Sequence, residues 1–426
     1  MGATDQARAS RGRGRTGLAG LLARVVATAM LFGPGILAMA GDNDAGGLLA
    51  YAATGARFGT RFFVPLLLPL GVMTFAVQEM ATRLAVGTGL ALPELVRAAA
   101  GRTWARLIAI DLGVMNTATL VSEVAGMAVG LAHFGVPVPV GAGISFVVVG
   151  AVLLLGSYGV AERIGLSLVV VNILFIPLAL AHLPHPADLL PWPAGAHWLR
   201  PAFVLYAVGM AGNAMAPWMP FFQMDAVRAH GWTQPSDLRA ARRDLLLGTL
   251  VQILVAMAVT VVAAAVPVGG TFAPGQWLAA LGLRTSPWVA DVFAVGLFDA
   301  GFVASITVSY ASVWTVLRTW RGSGPVEEVE QAVSRSPLAA ALFGGGLLLA
   351  AALVALPGAP LGVFAVATQA LSAVLMPPIV LVLWALASRR RLLGPLTNGL
   401  ASNATAAVAL AVFVLASISL LLPGGM

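Results

Sequence analysis

Acidic residues are scarce in this chain, and several fall inside long apolar runs. Of 426 residues only 17 are Asp or Glu. Asp42-Asn43-Asp44 interrupts an apolar stretch that begins near Leu18, while Glu123 and Asp299 each stand in another such stretch. An acid at mid-bilayer costs about 2.5–3.5 kcal/mol on insertion scales, so it is normally partnered or functional. A cation would offset that cost, which makes Asp44 the first candidate for a cation ligand. The plain alternative is a structural acid paired with an arginine. Asp42 adds charge or holds a hydrated ion, or is equally a structural acid. Glu123 and Asp299 each admit two readings: a desolvated neutral carboxyl that carries a proton, or a hydrogen-bond partner between helices. The amide oxygen of Gln369 suits a hard cation, and interhelical hydrogen bonding is its alternative. Glu79 and Arg83, four apart, form an ion pair if helical. There is no cysteine, which removes disulfides, thiolate sites and thiol catalysis. The five histidines form no metal cluster, and the closest pair, His182 and His185, brackets a loop. Nucleophile, phosphate-loop and zinc patterns are not found, so neither an enzyme nor a resident cofactor is expected.

The elements that position these groups must sit in lipid. The chain is 59% hydrophobic and 10% charged, against roughly 25% charged for soluble domains. With about 20 apolar residues per span, the pattern predicts eleven spans: 18–53, 61–86, 105–134, 138–157, 163–183, 199–227, 244–267, 289–317, 337–356, 360–387 and 398–422. The expected organisation is a basic cytoplasmic tail (1–17), a five-span repeat (18–183), a second, inverted five-span repeat (199–387) and an eleventh span (398–422). The polar segment from Arg318 to Pro337, with Glu327, Glu328 and Glu330, is expected to be a short cytosolic helix or loop. With the N-terminus in the cytoplasm, Arg57, Arg61, Arg200 and Arg284 lie outside and 24 − 4 = 20 basic residues lie inside. That bias follows the positive-inside rule and places the C-terminus outside. The net charge of +7 therefore reads as membrane topology rather than nucleic-acid binding. The expected setting is the plasma membrane, with the lipid bilayer as partner and the oligomeric state open.

Two spans carry helix-breaking residues at equivalent places in the two halves. The first contains Gly33-Pro34-Gly35 and then Gly41 to Gly47; the sixth contains Gly209, Gly212-Asn213-Ala214-Met215-Ala216-Pro217 and then Pro220. Unwound backbone at membrane depth is tolerated only where it is buried in protein or lines a cavity. Paired interrupted spans point to a transporter's binding site; two ordinary kinked helices are the alternative.

The first-span glycines and acid-bearing break resemble the Nramp family, whose Asp-Pro-Gly-Asn signature corresponds to Asp44, Ala45, Gly46 and Gly47. The second-span run Gln78 to Gly89 resembles the family's Gln, Arg-Leu and Thr-Gly pattern. Thr368-Gln369-Ala370-Leu371-Ser372 with Pro377 resembles its tenth-span stretch. The family's sixth-span Met-Pro-His becomes Ala216-Pro217-Trp218, with Met219-Pro220-Phe221 as a second frame, and its third-span aspartate becomes Leu120. Together with Asp42-Asn43-Asp44, Tyr51 and Phe221-Phe222-Gln223, this looks more like a divergent Nramp-related branch. The resemblance implies an all-α, LeuT-like fold of two inverted five-helix repeats plus an eleventh span, with helices 1 and 6 broken. It implies a secondary transporter whose substrate is a divalent metal ion, bound by Asp44, Gln369 and the backbone carbonyls of Gly41 and Asn213. Ala216, Trp218 and Gly47 would wall the site, and Gln223 and Asp225 would line a cytoplasmic exit or face solvent. Oxygen ligands and a roomy site favour magnesium or manganese. Loss of ionisable groups at Leu120 and Trp218 leads to an expectation of weak proton coupling. A same-fold symporter of an organic solute or amino acid is the alternative.

Overall fold

A computed structural model describes residues 33–155, 158–184, 200–320 and 337–421. The basic tail, the start of the first span, His185 and the acidic segment around Glu327, Glu328 and Glu330 lie outside the described residues. Lipid offers backbone groups no hydrogen-bond partner, so spanning segments satisfy them internally as helices, and the described residues contain no strand. The first span consists of α1 (Pro34–Asp42) and α2 (Ala45–Phe58). Next come α3 (Phe63–Thr88), α4 (Leu92–Ala100) and α5 (Arg102–His133). Then follow α6 (Val138–Leu155), α7 (Tyr158–Ile173) and α8 (Phe175–Leu180). The sixth span is α9 (Pro201–Ala214) and α10 (Trp218–Ala229). Apart from single turns of helix at Pro235–Asp237, Arg390–Leu393 and Gly394–Leu396, the remainder is α11 (Leu238–Ala264), α12 (Pro274–Arg284), α13 (Pro287–Trp320), α14 (Pro337–Val354), α15 (Leu361–Ala387) and α16 (Leu400–Leu421).

Nine helical stretches among the described residues are long and apolar enough to cross a membrane. The broken pair α1–α2 and the shorter apolar α6 account for the other two of the eleven expected spans. Several boundaries move. The first span runs on to Phe58, and the seventh begins six residues earlier than the pattern suggests. The fifth starts at Tyr158 and is divided at Leu174. Helices α4 and α12 were not anticipated, being short and lying between spans. Gly33, extended, caps α1 and Pro34 takes the first helical position, where its missing N–H costs nothing; the part of the first span before Gly33 lies outside the described residues. Pro220 likewise falls within the first turn of α10 rather than in the break.

Polarity is distributed as lipid requires. Leu68 and Val72 on α3, and Leu246, Leu250 and Leu254 on α11, are exposed, while Gln78, Asn116, Glu123, Gln252 and Ser372 are buried. Small residues bring the broken helices close to their neighbours. A Cβ on Gly55 would strike the Thr260 carbonyl of α11, and one on Gly212 would strike the Gln369 carbonyl of α15. Thus α2 and α9 are each seated against an unbroken helix, and their broken ends are held at fixed depth.

Candidate metal centre

The first break is Asn43-Asp44. Asp44 is the N-cap of α2, and its Oδ1 accepts a hydrogen bond from Gly47 N. Aspartate is among the favoured caps because its oxygen meets an otherwise open N–H. A second open N–H, that of Ala45, donates to Glu123 Oε2 of α5 at 2.8 Å. The positive end of α2 thus receives two carboxyl groups, as the helix dipole favours. Asp44 and Glu123 thus both take N–H groups of the first turn of α2.

The second break is Met215-Ala216-Pro217. Met215 is extended (φ −155°, ψ 97°), and α10 starts after Pro217. The last carbonyls of α9 are open by helix geometry, and neighbours meet some of them. Ala214 O accepts from Thr74 Oγ1 at 2.6 Å and from Gln252 Nε2 at 3.1 Å, and Gly212 O accepts from Ser372 Oγ at 2.8 Å. The Asn213 side chain crosses to the first break, where its Nδ2 donates to Gly47 O at 3.1 Å. Asn213 Oδ1 is buried without a hydrogen-bond partner. It occupies the space a Cβ on Gly47 would need, a position also only 2.7 Å from Asp44 Oδ1. From α15, Gln369 Nε2 donates to Asp44 Oδ1 at 3.3 Å.

Asp44, Asn213, Gln369, Gly47 and Glu123 therefore meet at one place. Gly41 lies in the last turn of α1, where carbonyls lack helical partners; a Cβ there would stand 3.1 Å from Trp218 and 2.8 Å from Thr307 Oγ1. Trp218 is fully buried and packs on the end of α1, and Ala216 is buried in the break. Asp42 points to α11, where its carboxylate accepts from Gln252 Nε2, while Asn43 Nδ2 donates to Gln252 O at 3.2 Å. Met219 Sδ accepts from Ala216 N at 3.3 Å, so this thioether is engaged with the break's own backbone. Asp299 is not brought to the centre. Gly301, two residues along α13, packs on Glu123 and Ala45, and residues two apart on a helix point in roughly opposite directions. Among the described residues no group of three or more His, Cys, Asp or Glu side chains could hold a metal ion. A cation here would be held by one carboxylate together with amide and carbonyl oxygens, a hard-ligand set.

The spacing of the sequence did not reveal Gln252, which joins Asp42 to the second break. It is an isolated amide in an otherwise apolar seventh span, and that isolation was its available signal. Tyr51 has a buried hydroxyl without a hydrogen-bond partner and lies close enough to Asp42 and Asp44 to feel their charge. Two ion-pair groups lie away from the breaks. Glu79 binds Arg83 at 2.8 Å, as the four-residue spacing predicts, and also Arg242 at 2.6 Å. Asp225, expected to line an exit or face solvent, is 1% exposed. It joins Arg318 at 2.8 Å and Arg228 at 3.4 Å, and Arg318 also binds Glu94 at 3.0 Å. Gln223 Nε2 donates to Thr82 Oγ1 at 3.0 Å.

Fold and paired breaks together define a polytopic membrane protein of the LeuT-like class. The family model described as natural resistance-associated macrophage protein-like (Nramp) matches residues 35–423, and the chain belongs to that family. It is 28% identical over 309 residues to the divalent metal cation transporter MntH of Mycobacterium tuberculosis, covering 66% of this chain and 68% of the relative. The crystal structure of the Eremococcus coleocola manganese transporter with an aromatic bis-isothiourea substituted compound superposes with TM-score 0.69 at 18% identity. That match covers 95% of this chain and 87% of the other. A closed conformation of MHP1, a nucleobase-cation-symport-1 family transporter, gives TM-score 0.53 at 13% identity over 90% and 92% of the two chains, a likeness of fold.

Proposed function

We propose that this protein carries a divalent metal cation across the membrane by alternating access, with the ion held between the two helix breaks. The observation that carries this reading is the convergence of Asp44, the unpartnered Asn213 Oδ1 and Gln369 beside Gly47. Three separate spans supply one carboxylate and two amides at the depth where two helices surrender their backbone pairing. That is a coordination set for a hard cation and a poor one for an apolar solute. The names of the relatives, a divalent metal cation transporter and a manganese transporter, support the same class.

Magnesium or manganese is the favoured cargo. Ala216 supplies no thioether, the Met219 sulfur is turned to Ala216 N, and the groups that converge are the oxygen-bearing Asp44, Asn213 and Gln369, a set that suits these ions. The direction is uptake through the plasma membrane, with the N-terminus cytoplasmic and the C-terminus outside. The arginine distribution supports this orientation, and Arg57, Arg61 and Arg200, which it assigns to one side, line one cavity. Glu123, whose Oε2 accepts from Ala45 N beside Asp44, is the candidate proton carrier at a site where Leu120 and Trp218 replace the family's ionisable groups.

Flux into proteoliposomes tests the proposal. Manganese and magnesium are expected to enter, with cadmium competing no better than magnesium. Accumulation of an amino acid or other organic solute without divalent-ion flux would overturn it. A cadmium advantage abolished by Met215→Ala or Met219→Ala would instead establish a thioether site.

A further inference from the structure

Asp299 is 4% exposed, although it lies on the side of α13 turned away from the metal centre. One carboxylate oxygen, Oδ2, accepts from Asn172 Nδ2 at 3.4 Å. The other, Oδ1, is buried with no hydrogen-bond partner, as is Asn172 Oδ1. A buried polar atom left unmatched is destabilising, and more so when charged, so such an atom calls for an explanation. Asp299 also lines a cavity of about 350 Å³ between α5, α6, α7 and α13. The rest of that lining is apolar and includes Gly130, Leu168, Val171, Phe298 and Phe302. Its rim carries the exposed side chains of Phe134, Val148 and Val295, so the cavity opens on the apolar outer surface of the bundle.

We propose that this cavity binds a hydrophobic amine, with the ammonium group on Asp299 and the hydrocarbon in the apolar groove. The chemistry is set by what borders the cavity: one acid, its Oδ1 covered and reached by a turn of the Asp299 side chain, and otherwise hydrocarbon. An ammonium brings three donors and a charge to an unmatched acceptor, and an alkyl chain fills the remainder at a gain set by its buried area. A metal ion does not fit, because a single carboxylate with one amide cannot replace the six or more oxygens that hard divalent cations take. An aminophospholipid headgroup does not fit either, because the lining has no cation or donor cluster to receive its phosphate. The site is separate from the metal centre and does not depend on its assignment.

The test is isothermal titration of n-octylamine and n-octanol into the full chain in lipid nanodiscs, with empty nanodiscs subtracted for partitioning. The wild-type protein is expected to bind the amine roughly tenfold or more tightly than the alcohol, the scale of a charge-assisted hydrogen bond. Asp299→Asn should remove that difference while leaving octanol binding in place. Val295→Trp, which fills the groove from its exposed rim without touching Asp299, should weaken both ligands. Equal binding of amine and alcohol to the wild-type protein would overturn the proposal. So would an amine preference that survives Val295→Trp, even if Asp299→Asn fails to fold.

Discussion

At Gly47 even a methyl group meets Asn213 Oδ1 and Asp44 Oδ1. The family's signature has asparagine at this position, and here the amide comes from Asn213 on the opposite broken helix. Gly47→Asn alone should therefore abolish transport by collision. Gly47→Asn with Asn213→Gly moves the amide back across the site and should restore a measurable part of it. Equal loss in the single and double variants would count against an exchange of amides. Asp44 and Glu123, both bound to the first turn of α2, lead to a second residue-scale expectation. Two carboxyl groups at one helix end disfavour full ionisation of both, so manganese binding at neutral pH should release protons, and Glu123→Gln should suppress that release. A pH-indicator titration in weak buffer reads both. Asp44 was legible as an acid in an apolar run, but the Asn213 side chain was not, because its role depends on how two distant breaks face one another. Asp299 and Glu123 looked alike in sequence. Only the rotation of α5 and α13 places one at the centre and the other in a separate cavity.

On the element scale, the half-helices that end at the breaks are held down at their far ends. Asp244 of α11 accepts from Gly33 N at 2.8 Å and from Gly35 N at 2.6 Å. The glycines are required here, because a Cβ on either would fall within 3 Å of the Asp244 carboxylate. This anchors the start of α1 at Gly33-Pro34-Gly35. Asp225 on α10 is held by buried Arg318 of α13. Hydrogen bonds to a charged group contribute about 1.5–3 kcal/mol, so Asp244→Ala should loosen α1 without unfolding the bundle. The native chain has no cysteine, so a thiol placed at the buried Leu37 gives a clean reading: Leu37→Cys should label faster in the Asp244→Ala background. Unchanged labelling would show that α1 is held by packing alone. The two short helices between spans, α4 and α12, were missed because span counting scores length and apolarity, and both are too short to register.

For the molecule as a whole, composition already pointed to a membrane protein, and the two glycine- and proline-bearing spans located the two helix breaks between which the proposed site lies. What sequence could not supply was the side each buried polar group faces, which rests on helix rotations fixed by close packing at positions such as Gly55 and Gly212. The central claim is that Asp44 is the anionic ligand of the transported metal. Asp44→Asn keeps the shape and an oxygen at the α2 N-cap, where asparagine caps as well as aspartate, so the fold should survive while the charge is removed. Manganese titration calorimetry on the purified wild-type and Asp44→Asn proteins, with their thermal unfolding compared as a control, measures this directly. Saturable binding to the wild-type protein and no measurable heat from an equally stable variant is the predicted result. Unchanged affinity in a folded Asp44→Asn protein would contradict the account.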